Sequence, residues 1–251
     1  MFIAQNAAKE TDVGRQLIMK GSAMSAMTDQ IKGVDASLEG ISGCGKSYIL
    51  SQLREALHDV PVTIIEEVED REGAALDQGI VALLRKHGDR YFRSGHPRTE
   101  TLLLLALKAY DAEVEIMPAL AAGHFVLEDR SIDTVAIYQA LILAPSEPQK
   151  QLETANMLYQ FACQWRQPPQ VTFLIEDDFT TCLERAQRRS ANLYSAEETA
   201  LLHAAANLYD RYAAQEHHRE RIVRLDRQQM DFEEIVRVIQ TTLVTWQTRG
   251  E

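Results

Sequence analysis

The chain has 251 residues, of which 25% are charged, and its formal net charge at pH 7 is −11. Nucleic acids and anionic membranes require clustered Lys and Arg, so this acidic balance argues against both as partners. Cys44, Cys163 and Cys182 lie far apart without a Cys-x-x-Cys pair, which indicates reduced thiols in a cytoplasmic protein and no cysteine-based metal site. No stretch of the sequence approaches the roughly 20 apolar residues of a membrane span.

The first part of the chain precedes any clear structural pattern. Residues 1–32 lack strong periodicity and are predicted to form an extension of uncertain order, ahead of a single domain at residues 33–251. An apolar strand is predicted at Val34–Leu38 and an amphipathic helix at Tyr48–Leu57. Between them lies Gly-x4-Gly-Lys-Ser, from Gly40 to Ser47. Strand, glycine-rich loop and helix follow one another in the order of a phosphate-binding loop.

This motif predicts a site for a nucleoside triphosphate, which we take to be ATP. The glycines let the loop backbone curl so that its amides point at the phosphates, next to the positive N-terminus of the helix. Lys46 is expected to reach the β- and γ-phosphates, and the Ser47 hydroxyl to bind Mg²⁺. The predicted loop residues are Gly40, Ile41, Ser42, Gly43, Cys44, Gly45, Lys46 and Ser47.

The rest of the chain alternates between apolar strands and helical patterns. Further strands are predicted at Val60–Ile65, His124–Asp129, Gln170–Glu176 and Arg221–Asp226. Helices are predicted at Gly73–Lys86, Thr99–Leu120, Gln149–Arg166, Ala196–His217 and Phe232–Trp246, with a surface loop at His87–Arg98. This alternation predicts an α/β fold with a five-stranded parallel sheet flanked by helices. Ligands of such sheets bind at the carboxyl ends of the strands.

The strand predicted at His124–Asp129 ends in Glu128 and Asp129, and Arg130 follows directly. A carboxylate at the tip of a strand can hold Mg²⁺ directly or through water, so Asp129 is the second predicted metal residue. Arg130 suits a planar, bidentate grip on a phosphate or carboxylate of an acceptor. The alternative interpretation of Asp129 and Arg130 is a surface ion pair.

Three blocks of sequence carry a resemblance to a known family. The segment Asp129-Arg-Ser-Ile-Asp-Thr-Val-Ala-Ile-Tyr-Gln139 resembles the Asp-Arg-x-x-x-Ser-x-x-Ala-Tyr-Gln signature of thymidylate kinases, and Ile116–Gly123 resembles the turn leading into it. Cys182–Arg189 resembles the lid entrance of nucleoside monophosphate kinases. With the phosphate loop, the likeness extends from about Ser37 to Trp246. It implies a P-loop kinase that uses Mg-ATP to phosphorylate a nucleoside monophosphate, such as thymidylate, or a related small acceptor.

The resemblance also implies roles for individual residues. Lys46 and Arg130 would be catalytic, together with three arginines of a short lid at about residues 185–198, which are Arg185, Arg188 and Arg189. Arg71 would grip the acceptor phosphate, and Tyr138 and Gln139 would line the base pocket. The family further implies a homodimer.

The sequence departs from the family on the acceptor side. Leu104 and Lys108 stand where the family carries a base-stacking Phe and a base-contacting Arg, and both are therefore candidate substrate residues. Gly73 replaces a proline after Arg71, and Ser42 replaces an acidic residue that is frequent in the loop. Because most of these changes fall where the acceptor should bind, they disfavour thymidylate itself as the acceptor.

Two other functions fit parts of the sequence. Deoxynucleoside kinases use a Glu after the second strand as a general base on a hydroxyl acceptor, and Glu66 or Glu67 could serve in this way. A P-loop ATPase or switch would bind ATP without any small-molecule acceptor. Arg130 and the lid arginines argue against a switch, which has no need of them.

Overall fold

A parallel β-sheet forms the centre of the chain as far as the structure describes it. The computed structural model describes residues 33–67, 75–86, 89–190 and 193–249. Within these ranges five strands pair in the order β2-β3-β1-β4-β5, and every pairing is parallel. The strands are β1 (Val34–Glu39), β2 (Val62–Ile65), β3 (Phe125–Asp129), β4 (Val171–Glu176) and β5 (Ile222–Asp226). The predicted α/β fold with five parallel strands is therefore confirmed.

Helices cover both faces of this sheet. They are α1 (Lys46–Ala56), α2 (Ala75–Arg85), α3 (Pro97–Asp111), α4 (Met117–Ala121), α5 (Ile132–Leu143), α6 (Pro148–Ala162), α7 (Phe179–Ser190), α8 (Ala196–Ala213), α9 (Glu216–Arg219) and α10 (Phe232–Arg249). Helix α10 packs against α1 and β1, whereas α5 packs against α3, α6 and α8. Because both faces are covered, β1 and β3 are buried along their whole length. Among the described residues, no helix combines the length and apolar character needed to cross a bilayer.

Two predicted helices are interrupted in the structure. The helix predicted at Thr99–Leu120 contains a π-helical turn at Ala112–Ile116, where the Met117 amide donates to the Ala112 carbonyl five residues back. Pro118 follows at once, and its missing N–H explains why regular α-helical bonding is broken here. The helix predicted at Ala196–His217 ends at Ala213, and a separate short helix begins at Glu216.

A buried ion triad ties the chain after α6 to the sheet. The Arg166 guanidinium binds both oxygens of Glu128, at 2.7 and 3.0 Å, and one oxygen of Asp35, at 3.3 Å. All three residues are buried. Burial, followed by the neighbouring Glu128, raises the pKa of Asp35 well above its usual value, against the opposing charge of Arg166. The triad joins β1 and β3, the two strands whose carboxyl ends carry the site described next.

Two predictions fall outside the described residues. The extension at residues 1–32 and the substrate residue Arg71 both lie there, so each stays a prediction.

Candidate functional site

The predicted phosphate loop connects β1 to α1. Gly43 has φ +87° and Gly45 has φ +103°, both in the left-handed region that side chains avoid. A Cβ on Gly43 would lie 1.9 Å from the carbonyl oxygen of Cys182. Glycine is therefore required at Gly43 by both backbone conformation and space, and the loop can lie directly against α7.

Lys46 is the first residue of α1, and its side chain turns back over the loop. Its Nζ donates to the carbonyls of Gly40 and Ile41, at 3.1 Å each, and the residue is buried. The Sγ of Cys44 lies 3.7 Å from the same nitrogen, and Cys44 is fully buried. The ammonium group is thus held above the loop backbone, the position from which a bound phosphate chain can be reached.

The two predicted metal residues meet at the carboxyl ends of neighbouring strands. Leu38 of β1 is paired with Asp129 of β3, which aligns the two strand tips. The Ser47 hydroxyl donates to Oδ2 of Asp129 at 3.3 Å, and Oδ1 of Asp129 is buried with no hydrogen-bond partner. Burial raises the pKa of Asp129, and the opposing attraction of Lys46 does not cancel this shift. Two hard oxygen donors, one of them unsatisfied, suit Mg²⁺.

Arg130 follows directly and adopts an unusual backbone conformation for a non-glycine residue, with φ +69°. Its Nη1 donates to the Gly40 carbonyl at 2.8 Å, its Nη2 to the Ser42 hydroxyl at 3.2 Å, and its Nε forms an ion pair with Glu67. The guanidinium therefore connects the phosphate loop to the end of β2.

Glu39, at the end of β1, fixes the turn after Arg130. Its carboxylate accepts a hydrogen bond from the Ser131 amide at 2.7 Å, and further bonds from the hydroxyls of Thr134 and Tyr209. Burial, with a contribution from the nearby Asp133, raises the pKa of Glu39 to about 6. A buried carboxylate thus links β1, the N-terminus of α5 and α8 directly behind the loop.

A pocket opens beside these residues and encloses about 770 Å³ of space, counting the part open to solvent. We call it the acceptor pocket. It is lined by Ser42, Glu67, Arg90, Tyr91, Phe92, Leu104, Lys108, Arg130, Ser131, Thr134, Val135, Tyr138, Gln139, Arg189 and Tyr194. Four of these side chains are aromatic, and the charged pair Arg130–Glu67 lies beside the phosphate loop. A planar apolar ligand with a polar end matches this lining.

The segment predicted as a surface loop forms one side of the acceptor pocket. Tyr91 stacks on Tyr138 with a centroid distance of 5.5 Å and an interplanar angle of 22°. Arg90 lies over the ring of Tyr194 at 4.1 Å and pairs with Glu198 at 3.3 Å, which ties the segment to the N-terminus of α8. Residues 89–96 form the predicted surface loop, and tertiary contacts turn its aromatic side chains toward the pocket.

The four predicted base-pocket residues all line the acceptor pocket, but their polar groups differ in hydrogen bonding. They are Leu104, Lys108, Tyr138 and Gln139. Lys108 is buried, and its Nζ donates to the Arg130 carbonyl at 2.6 Å and lies 3.7 Å from Asp111. Gln139 accepts a hydrogen bond from the Thr101 hydroxyl at 2.8 Å. The Tyr138 hydroxyl is buried with no partner. Lys108 thus supports the Arg130 backbone, whereas Tyr138 lines the pocket and carries a buried hydroxyl without a partner.

The three lid arginines do not lie together. Arg189 lines the acceptor pocket. Arg185 instead pairs with Asp177 at 2.6 Å, and Arg188, with 78% of its side chain exposed, pairs with Glu184 at 3.4 Å. Helical spacing alone puts positions 185, 188 and 189 on one side of α7, so the difference between them lies in the ion pairs that hold Arg185 and Arg188. The structure therefore places Arg185 and Arg188 outside the pocket.

Sequence reasoning missed several lining residues. Tyr91, Phe92 and Tyr194 belong to connecting segments, where no periodicity indicates which side chains face inward. Thr134 stands at the serine position of the signature block and keeps its hydroxyl, which was a signal for a pocket residue. The sequence marks Glu67 as a possible base and as part of an acidic run, but no local pattern specifies its ion pair with Arg130. A local excess of aromatic residues at 91–92, among polar neighbours, was a second available signal.

The fold and the site together define a class of protein. A phosphate loop, a serine–aspartate pair at the strand tips and an adjoining acceptor pocket at one edge of a parallel sheet define a P-loop nucleotide-binding phosphotransferase. The model of the thymidylate kinase family matches residues 38–239. The chain therefore belongs to the thymidylate kinase family, and it is an ATP-dependent nucleotide kinase.

Individual proteins agree with this assignment. The chain is 34% identical over 157 residues to the thymidylate kinase of Pelobacter propionicus, an alignment that covers 62% of this chain and 67% of the relative. It is 32% identical over 207 residues to the probable thymidylate kinase of Halorubrum lacusprofundi, covering 80% and 93%. The crystal structure of thymidylate kinase from Ehrlichia chaffeensis matches with a TM-score of 0.60 at 19% identity, over 83% of this chain and 98% of that one. That last similarity supports the fold.

Proposed function

We propose that the protein transfers the γ-phosphoryl group of Mg-ATP to the phosphate of a nucleoside monophosphate bound in the acceptor pocket. One observation carries this proposal. The acceptor pocket shares Ser42 and Arg130 with the surroundings of the phosphate loop, and Asp129 lies next to Arg130 in the chain. A donor on the loop and an acceptor in the pocket would therefore meet beside the serine–aspartate pair, as phosphoryl transfer requires.

On the donor side, the loop amides and Lys46 would hold the phosphates. Ser47 and Asp129 would hold Mg²⁺, since their oxygens lie together and Oδ1 of Asp129 lacks a partner. When bound there, the ion would neutralise charge on the phosphate oxygens. Lys46 would exchange its bonds with the Gly40 and Ile41 carbonyls for bonds with phosphate oxygens.

On the acceptor side, aromatic rings would pack against the base. Tyr91, Phe92 and Tyr138 supply rings where the helix carries Leu104, so the stacking surface comes from a different element than in the family pattern. A ring contact of this kind contributes about 1 kcal/mol. The Tyr138 hydroxyl and the Gln139 amide group would bind polar atoms of the base. The loss of the helix aromatic therefore does not exclude a nucleobase.

Fixed cations would stabilise the transferring group. Arg130 and Arg189 reach the pocket from two different elements, and charge fixed in a water-poor site favours a transition state with spread negative charge. Arg185 and Arg188 could contribute only after leaving Asp177 and Glu184. Arg71 stays the proposed grip for the acceptor phosphate.

The proposal also covers domain boundaries, cellular location and partners. The proposed catalytic domain is residues 33–251, with a lid at about 185–198 and residues 1–32 as an extension. We place the protein in the cytoplasm, a location that its three free cysteines support. We also propose a homodimer and no nucleic-acid partner, the latter on the grounds of net charge.

The test is ADP release from Mg-ATP with a panel of ribo- and deoxynucleoside monophosphates, thymidylate included, and of free nucleosides. Lys46→Ala serves as the blank. We expect at least one monophosphate to stimulate turnover, and Asp129→Asn to raise the Mg²⁺ concentration needed for half-maximal rate. Bound ATP with no stimulation by any member of the panel would refute the proposal in favour of a switch.

A second candidate is a kinase acting on a neutral hydroxyl acceptor. The observation that favours it is Glu67, a carboxylate that lines the acceptor pocket in contact with Arg130. A hydroxyl acceptor needs a base of this kind within hydrogen-bond reach. Stimulation by free nucleosides, and not by monophosphates, would select this candidate.

A further inference from the structure

Each nitrogen of the Arg130 guanidinium lies against an oxygen of the protein. The Gly40 carbonyl and the Ser42 hydroxyl accept hydrogen bonds from the two terminal nitrogens, and the Glu67 carboxylate forms an ion pair with Nε. Only 8% of the Arg130 side chain and 18% of the Glu67 side chain are exposed. An incoming phosphate that uses Arg130 must therefore share it with an anion that already belongs to the protein.

Glu67 also lies within the field of two other cations of the site. Burial alone would raise the pKa of Glu67, yet Arg130, Lys46 and Arg189 together hold it below its usual value. These cations come from the turn after β3, the phosphate loop and the end of α7. The carboxylate is thus ionised at neutral pH, at the place where the positive charges needed for phosphoryl transfer converge.

We propose that Glu67 is a specificity-determining residue that limits how much negative charge the acceptor pocket admits. This inference rests on the proposed function, because it concerns the same acceptor. Each further negative charge on an acceptor meets stronger repulsion from the Glu67 carboxylate in this partly buried site. Acceptors with one phosphate remain admissible because three cations oppose one carboxylate, whereas affinity falls with each further phosphate. Glu67 therefore gives the pocket a higher affinity for the acceptor than for its own product or for nucleoside triphosphates.

The experiment compares wild type with Glu67→Gln across a series of ligands that share one nucleoside and differ in the number of phosphates, and hence in charge. Thymidine, thymidylate and thymidine diphosphate are titrated calorimetrically, with the donor site saturated by Mg²⁺ and a non-hydrolysable ATP analogue. We expect Glu67→Gln to leave thymidine affinity unchanged within about twofold, to strengthen thymidylate binding about tenfold, and to strengthen diphosphate binding still more. Glutamine keeps the size of the side chain, so the series measures charge.

Glu66→Gln is the matched control. It removes the same charge one residue earlier, from an exposed side chain that does not line the pocket. All three affinities should stay within about twofold of wild type. A second check is Ser42→Asp in the Glu67→Gln background. It returns a carboxylate to the vicinity of Arg130 and should reverse the gain.

Several results would overturn the inference. One is an equal change for all three ligands in Glu67→Gln, and another is thymidylate binding by that variant that is no stronger than in the wild type. A third is loss of phosphoryl transfer to nucleosides in Glu67→Gln but not in Glu66→Gln, which would make Glu67 a base. Failure of the proposed function is separate, because it appears as absence of monophosphate turnover in the wild-type protein.

Discussion

Replacing Gly43 with alanine tests how the phosphate loop is packed. Gly43 has φ +87°, and a Cβ there would lie 1.9 Å from the Cys182 carbonyl oxygen and 3.1 Å from the Ala186 amide nitrogen. Both are backbone atoms of α7, which cannot move aside as a flexible side chain can. The substitution must therefore displace the helix, the loop or both.

The magnitude follows from two separate costs. A non-glycine residue in the left-handed region costs about 1–2 kcal/mol. The overlap with α7 adds about 1–3 kcal/mol, as for other over-packed interiors. Gly95 provides the matched control, because it has φ +91° but no atom within 4 Å of a built Cβ. Gly95→Ala carries only the first cost, so the two variants should differ by about 1–3 kcal/mol.

Urea titration of both variants gives the free energies of unfolding, and calorimetry with Mg-ATP gives the affinities. We expect Gly43→Ala to lose more stability than Gly95→Ala and to bind Mg-ATP at least about tenfold more weakly, since the loop amides shift. Gly95→Ala should bind Mg-ATP as wild type does. Equal losses of stability in the two variants would refute the argument that the loop lies against α7.

Three further predictions follow from the buried charges and the lid. Arg166→Met leaves two buried carboxylates without their cation and should lower the free energy of unfolding by about 3–5 kcal/mol in urea titration. Lys150→Met, at an exposed pair, should cost less than about 1 kcal/mol. Similar losses in the two variants would contradict the buried triad. Arg189→Ala should lower kcat roughly 100-fold in steady-state kinetics. The Arg188 side chain is 78% exposed, so Arg188→Ala should change kcat by less than about twofold. The reverse order of effects would show that the lid rearranges. Burial, followed by Arg221, lowers the pKa of His218 to about 3. As pH falls, His218 takes up a proton in the unfolded chain before it does so in the folded protein. Its contribution to the free energy of unfolding is therefore fully present above about pH 6.5, and a loss on the order of 2 kcal/mol follows as pH falls toward 3. The pH dependence of unfolding should be shallower in His218→Gln, and an unchanged dependence would contradict this assignment.

Sequence by itself determined the features that depend on local order. The phosphate loop was predictable because eight consecutive residues, between an apolar strand and a helix, carry the whole motif. The proximity of Ser47 and Asp129 was also predictable, although 82 positions separate them, since strands of a parallel sheet present their carboxyl ends at one edge. Strand positions agreed to within two residues because buried strands are uniformly apolar.

Only the tertiary structure decided which side chains face the acceptor. Tyr91 and Phe92 lie in a segment without periodicity, and their orientation comes from the stacking of Tyr91 on Tyr138 and from the contacts of Arg90 with α8. The pattern likewise could not separate Arg189 from Arg188, because the outcome depends on the rotation of α7 about its own axis. The ion pair between Glu67 and Arg130 joins residues that follow two different strands, and no local rule specifies such a pair. Local signals set the donor loop, whereas the packing of distant segments set the acceptor pocket, since its lining comes from elements that are separate in the chain.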